Sequence, residues 1–224
     1  HFQDKNLGVV KNIEFLLQKV ESPLYMLSDQ DDIWLPEKVE KSVEKLEKEN
    51  SDLVFGDLEV VDGNLNTLYH SFSKYRNLDK KIEKYIDSYK LNYLYNCVTG
   101  CTILSKKEFI QKILPIPQNS KHLIHDHWIA LILSLNGKIS YLSTPYIKYR
   151  QHGNNQVGAN KKTEGLGKLD EIRKLFIEVK LGVFGTYVEN NHIFPKELQE
   201  QNIKVLNYYK MLDKKQKANF KNYR

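Results

Sequence analysis

The stretch Leu24-Tyr25-Met26-Leu27-Ser28-Asp29-Gln30-Asp31-Asp32-Ile33-Trp34-Leu35-Pro36 constrains this chain more than any other. Leu24 to Leu27 is apolar, short and followed at once by turn-forming residues, the pattern of a buried strand. It empties into three carboxylates within four positions, and Pro36 then opens a helical stretch. Acids that close repel one another unless water, hydrogen-bond donors or a cation offsets the charge. In open α/β sheets the carboxyl end of a strand is also where ligands bind. A hard cation such as Mg²⁺ combines one or two carboxylates with water and a substrate's phosphates. The stretch therefore fits a metal–diphosphate site, and it equally fits an acidic turn capping the next helix.

The flanking pattern supplies the rest of an α/β sheet. A helix is expected over Asn6 to Val20, with Ile13, Leu16, Leu17 and Val20 on one face. A second, Pro36 to about Asn50, places Val39, Val43 and Leu46 on one side and the pairs Glu37/Lys41 and Glu44/Lys48 on the other. Asp52 to Asp62 reads as one strand ending in the turn Asp62-Gly63-Asn64. Lys74 to Lys90, polar and Tyr-rich, reads as helix and loop covering a site. Asn96 to Leu104 reads as a strand, with Gly100 marking a bulge or a close approach to a ligand. Ile129 to Leu135 is apolar nearly all round, hence a buried helix. Two short strands follow around Ile139 to Leu142 and Tyr146 to Tyr149.

Composition changes after Gln151-His152-Gly153-Asn154-Asn155. Leu169, Ile172, Phe176, Val179 and Val183 then recur at helical spacing, and another helix runs from about Pro195 to Lys217. The chain thus divides near Lys161, into an α/β domain over 1–160 and a helical C-terminal extension over 161–224.

Charge and cysteine content narrow the setting. The formal net charge of +6 is too modest to point to nucleic acid, and suits a phosphate-bearing substrate or an anionic membrane surface. Cys97 and Cys101, four apart, would share one face of a strand and give no disulfide framework, so a reducing cytosol is expected. No run approaches the ~20 apolar residues of a transmembrane helix. Lys210, Lys214, Lys215, Lys217, Lys221 and Arg224 mingle with Met211, Leu212 and Phe220 near the C-terminus. That mixture suits peripheral contact with the inner face of a plasma membrane, or simply a solvated helix end.

Two further clusters carry chemistry. In His122-Leu123-Ile124-His125-Asp126-His127-Trp128, Asp126 falls at the start of the buried helix. There the helix dipole and free N–H groups favour an ionised carboxylate that could take a proton from a hydroxyl; the bland reading is an N-cap. The histidines are potential metal ligands or hydrogen-bonded rim. In Tyr149-Arg150-Gln151-His152-Gly153-Asn154-Asn155, Arg150 could hold a diphosphate bidentately and His152 could reach a metal, if this is more than a surface loop.

Taken together, Ser28 to Lys38, Val98-Thr99-Gly100-Cys101-Thr102, His125-Asp126-His127-Trp128 and Tyr149 to Asn155 resemble the family 2 glycosyltransferases of the GT-A fold. The closest subgroup is the bacterial rhamnosyltransferase-like enzymes of surface-polysaccharide assembly. The resemblance spans about Asn6 to Gly158. It implies a GT-A-like mixed sheet flanked by helices, and a nucleoside-diphosphate sugar as donor. It implies that Asp31 and His152 bind Mg²⁺ or Mn²⁺, that Asp29, Gln30, Asp32 and Arg150 hold the donor, and that Asp126 is the catalytic base. Thr99, Gly100, His125, Trp128 and Trp34 would line the side of a glycan or lipid-linked acceptor. One base and no second, nucleophilic carboxylate imply inversion at the anomeric carbon.

The family's chain begins with a βαβ region that cradles the nucleotide base, and almost nothing here precedes the helix near Asn6. An N-terminally truncated sheet is therefore expected, with an open edge that could pair a second copy. The alternative function is an inactive remnant serving as a glycan- or partner-binding module.

Overall fold

The computed structural model describes residues 5–118, 120, 122–151 and 169–221, with side chains described over 172–217 of the last stretch. The chain forms two compact units, His1–Ile116 with His125–Ala159, and Pro117–Ile124 with Asn160–Arg224.

The first unit runs α1 (Val9–Leu17), β1 (Leu24–Met26), β2 (Ile33–Trp34), α2 (Lys38–Glu49), β3 (Leu53–Gly56), β4 (Glu59–Val61) and β5 (Thr67–Tyr69). It continues with α3 (Phe72–Tyr75), α4 (Asp79–Tyr85), α5 (Lys90–Leu94), β6 (Leu104–Lys106), α6 (Ile110–Ile113), α7 (His125–Asn136), β7 (Ile139–Leu142) and β8 (Ile147–Arg150). Two mixed sheets result. One has the order β1-β6-β3-β7, with β6 antiparallel to both neighbours and β7 parallel to β3 from Leu53↔Ile139 to Gly56↔Leu142. The other has the order β2-β8-β4-β5, with β8 parallel to β4 and antiparallel to β2. This is the expected mixed α/β architecture flanked by helices.

Each sheet gathers its own apolar cluster. Leu46, Val54 and Leu104 are buried with Leu24, Met26, Val43 and Leu142 packed on them. Leu58, Val60, Cys101, Ile147 and Tyr149 are buried under Trp34, Tyr69 and Phe72. At roughly 25 cal/mol per Å² removed from water, such clusters supply most of the folding drive. Helix α7 is the buried helix its sequence promised, with every residue from His125 to Leu133 out of solvent.

Four local expectations are corrected. The strand expected over Asp52 to Asp62 is two strands in two sheets, broken at Asp57-Leu58. Asp57 makes the break: its Oδ1 accepts the N–H groups of Leu58 and Ser73, and its Oδ2 accepts the hydroxyls of Ser71 and Ser73. Asn96 to Leu104 is not a strand either. Gly100–Thr102 forms a 3₁₀ turn closed by Thr102 N–H on the Thr99 carbonyl, so Cys97 and Cys101 share no strand face; both are buried and free.

In α2 the buried positions are Lys38, Ser42 and Leu46, whereas Val39 is 48% exposed. The Lys38 side chain folds over the Trp34 ring, turning the helix by one position from its apolar pattern. Its ion pairs are Lys41–Glu44 and Lys45–Glu49 rather than those expected. Asn50 ends it in the left-handed conformation at φ 48°.

In the second unit, α8 (Leu169–Glu189) and α9 (Lys196–Lys221) pack together, burying Ile177, Val183, Phe184 and Tyr187 on one and Leu198, Asn202 and Leu206 on the other. Ile172 and Phe176 of the expected stripe are exposed, although the Phe176 ring still meets the edge of Tyr209 on α9. No described helix is long and apolar enough to cross a membrane.

Candidate active site

Three segments of the first unit converge. Strand β1 is held by β6, and just beyond it the Leu27 N–H donates to the Ile103 carbonyl, after which the chain turns through Ser28 to Asp32. Strand β2 then pairs with β8 at Ile33↔Lys148, which brings the Arg150 N–H to Asp32 Oδ1 at 3.2 Å. The 3₁₀ turn carries Gly100 and Cys101 to the same place, and α7 opens there with His125 and Asp126.

Ligand atoms of Asp29, Asp32 and Cys101 all lie within 4.8 Å of one another. Asp32 Oδ2 is buried without a hydrogen-bond partner among the described residues. Burial pushes the Asp32 carboxyl up to about 6, against the pull of a hydrogen bond from the Cys101 thiol and the Arg150 N–H. Asp29 is also raised by loss of water, opposed by His125 and reinforced by Asp31 and Asp126. Burial drives the Cys101 thiol far above its ordinary range, so it stays S–H. A neutral thiol is a poor ligand for a hard cation, whereas two converging carboxylates suit one. The orphaned Asp32 oxygen and this oxygen pair together fit Mg²⁺ or Mn²⁺. Asp31, the expected ligand, stands outside that group and acts on both neighbours as a nearby negative charge. Gln30 lies exposed on the turn.

Across from the acids, Asp126 is 7% exposed and sits one residue inside α7, not at the cap position. Its Oδ1 accepts the His127 N–H at 2.6 Å and its Oδ2 the Gly100 N–H at 3.2 Å. Burial raises its pKa, while His125 and these N–H groups oppose the rise. The result is a carboxylate more basic than a solvated one, yet held in one orientation. Gly100 is required by the close approach: a Cβ there would lie 3.0 Å from His125 Nε2 and 3.6 Å from Asp126 Cβ. His125 is itself buried, and its Nδ1 has no hydrogen-bond partner among the described residues. Thr99 is half-buried at the rim, its carbonyl closing the turn.

Two expected acceptor residues serve other ends. Trp128 is 2% exposed, and its indole N–H donates to the Ile113 carbonyl at 2.8 Å, so it anchors α6 in the core. Trp34 is half-buried against the second apolar cluster and covered by Lys38, so its ring faces are occupied. His127 likewise turns inward, with Nε2 at 2.7 Å from the Asn92 carbonyl. His152 lies outside the described residues.

The pattern reading missed Lys38. It is 2% exposed, its Nζ stands 3.3 Å from the Trp34 ring centroid, and it has no hydrogen-bond partner among the described residues. Burial pulls its pKa down to about 8, against the attraction of Asp32. A lysine in the first turn of an amphipathic helix reads as solvated. The available signal was its position four residues after a tryptophan that itself follows the acids.

The model of glycosyl transferase family 2 matches residues 2–114, half of the chain, taking in the acid turn and Gly100 and ending before Asp126. A dTDP-rhamnosyl transferase of Shigella flexneri, RfbG, is 29% identical over 163 residues, 68% of this chain and 52% of its own. An uncharacterised glycosyltransferase of Nostoc sp. is 26% identical over 132 residues, 58% of this chain and 40% of its own. The chain thus spans about half the length, or less, of the curated relatives it matches. Among solved structures, Staphylococcus aureus TarS 1–349 in complex with UDP-GlcNAc aligns with 14% identity, a TM-score of 0.49, and coverage of 90% of this chain and 52% of that one. The chain belongs to glycosyl transferase family 2.

Proposed function

We propose that this unit carries the catalytic half of an inverting, metal-dependent glycosyltransferase. Its donor is a nucleoside-diphosphate sugar, with dTDP-rhamnose the first choice from the name of the Shigella relative. Its acceptor is a hydroxyl of a glycan or lipid-linked saccharide. The observation that carries this reading is the buried Asp126 carboxylate, fixed by the Gly100 and His127 N–H groups and close enough to Asp29 for their charges to interact.

Asp126 accepts the proton of the acceptor hydroxyl as that oxygen attacks the anomeric carbon; the bond from this carbon to the diphosphate oxygen breaks, and the nucleoside diphosphate departs. Attack from the side opposite the leaving group inverts the centre. Asp29 and Asp32 would hold a divalent cation, with Asp31 beside them, and Arg150 adds positive charge toward the donor. The bound cation would neutralise charge developing on the departing diphosphate. His125 opposes the rise that burial imposes on Asp126 and on Asp29. Lys210, Lys214, Lys215 and Lys217 of α9 supply the charge for peripheral contact with an anionic membrane.

Asp126→Asn tests the reading. Transfer is expected to fall about 10²–10⁴-fold while nucleotide binding is retained, as loss of a general base requires. Equal loss of both would make Asp126 a structural residue and remove the catalytic assignment.

A further inference from the structure

Near the acid turn, Asp32 Oδ2, Trp34 Nε1 and Lys38 Nζ are buried with no hydrogen-bond partner among the described residues. A buried ammonium with no ion-pair partner is costly to keep, and an apolar side chain of the same length would fill this place better. Its direction is set by α2, whose first turn lays the lysine stem across the Trp34 ring. The groups that face it are Asp32, Cys101 and that ring. Cys101 is a neutral thiol, so the one full charge answering Lys38 there is Asp32. Lys38 makes no ion pair with Asp32 within 4.0 Å, so Asp32 Oδ2 is without a hydrogen-bond partner among the described residues while an Asp32 oxygen lies within 4.8 Å of an Asp29 oxygen.

We infer that Lys38 is a positioning residue, a built-in counter-cation that divides the charge of the acid turn between a metal and a diphosphate. With three carboxylates and no compensating cation, the turn would bind a divalent ion tightly and repel an anionic donor. Lys38, fixed behind Asp32, weakens the first tendency and offsets the second. This inference rests on the metal–diphosphate reading above.

The test is calorimetric titration of the whole chain, unaltered and as Lys38→Met and Lys38→Arg, with Mn²⁺ alone and with pyrophosphate alone. Removing one positive charge near both ligands acts with opposite sign on a cation and an anion, on the order of tenfold each. Lys38→Met is expected to tighten Mn²⁺ and weaken pyrophosphate, and Lys38→Arg to stay near the unaltered chain on both. Weakening of both ligands in Lys38→Met would mean the lysine merely supports the fold, and no change in either would mean its charge is not felt; each overturns the inference. If the unaltered chain binds neither probe, the metal–diphosphate reading itself falls, and the inference with it.

Discussion

The Gly100 N–H donates to Asp126 Oδ2 at 3.2 Å, so the turn before β6 and the first turn of α7 are fastened at the candidate base. The same approach brings His125 Nε2 to 3.0 Å from where a Gly100 side chain would begin. Gly100→Ala must therefore push His125 and, with it, Asp126. A cost of ~1–3 kcal/mol in unfolding free energy is expected, together with a larger loss in transfer than in nucleotide binding. Denaturant unfolding beside a transfer assay checks both; an unchanged transfer rate would show that the contact relaxes freely.

The acids can be ranked. Asp29 and Asp32 share the compact group of ligand atoms and Asp31 does not. Asp29→Asn and Asp32→Asn are expected to weaken Mn²⁺ binding at least tenfold, and Asp31→Asn by less, through the loss of one nearby charge. Titration of the three variants decides. The strongest effect at Asp31 would return the metal to the residue that the family resemblance favours.

Lys38→Met carries a stability signature with a definite pH dependence. In the folded chain the ammonium is held at about 8 against an ordinary value of 10.5. The native state therefore binds fewer protons than the unfolded state between these values, and stability rises with pH across that window. Below pH 8 the full cost is present, on the order of 2–3 kcal/mol. Lys38→Met should unfold at a higher temperature than the unaltered chain at pH 7, and the gap should close toward pH 10. Parallel thermal melts at both pH values measure it.

Both thiols should be silent in the native state. Cys101 is fully buried and Cys97 is 9% exposed, with burial pushing the Cys97 thiol up to about 12. Reaction with an aromatic disulfide reagent at pH 8 is expected only after denaturant is added. Prompt labelling of the folded chain would contradict this burial.

Much of this arrangement was legible from residue types alone. Leu24 to Leu27 announced a strand, the three acids a charged turn at its carboxyl end, and the apolar run after Trp128 a buried helix. What periodicity could not carry was any position where a polar side chain does a core residue's work. Asp57 looked like one more residue in a strand, yet its four hydrogen bonds turn the chain from one sheet into the other. Nothing singled out Lys38, because the pattern records polarity, not the direction in which a long stem folds. Trp128 was expected on the acceptor side from the family resemblance, and only the Ile113 carbonyl reveals where its N–H points.

The pairing of β1 with β6 and of β2 with β8 also has a consequence during synthesis. Leu24 finds its partner at Lys106, and Ile33 waits for Lys148. At about 5–20 residues per second on the ribosome, the acid turn is exposed as nascent chain for on the order of ten seconds before β8 arrives. Non-local pairings of this kind form slowly even then. A stalled chain ending before Arg150 would hold all three acids and still lack the strand whose pairing orients Asp32. The earliest-made motif of the site is thus among the last to become functional.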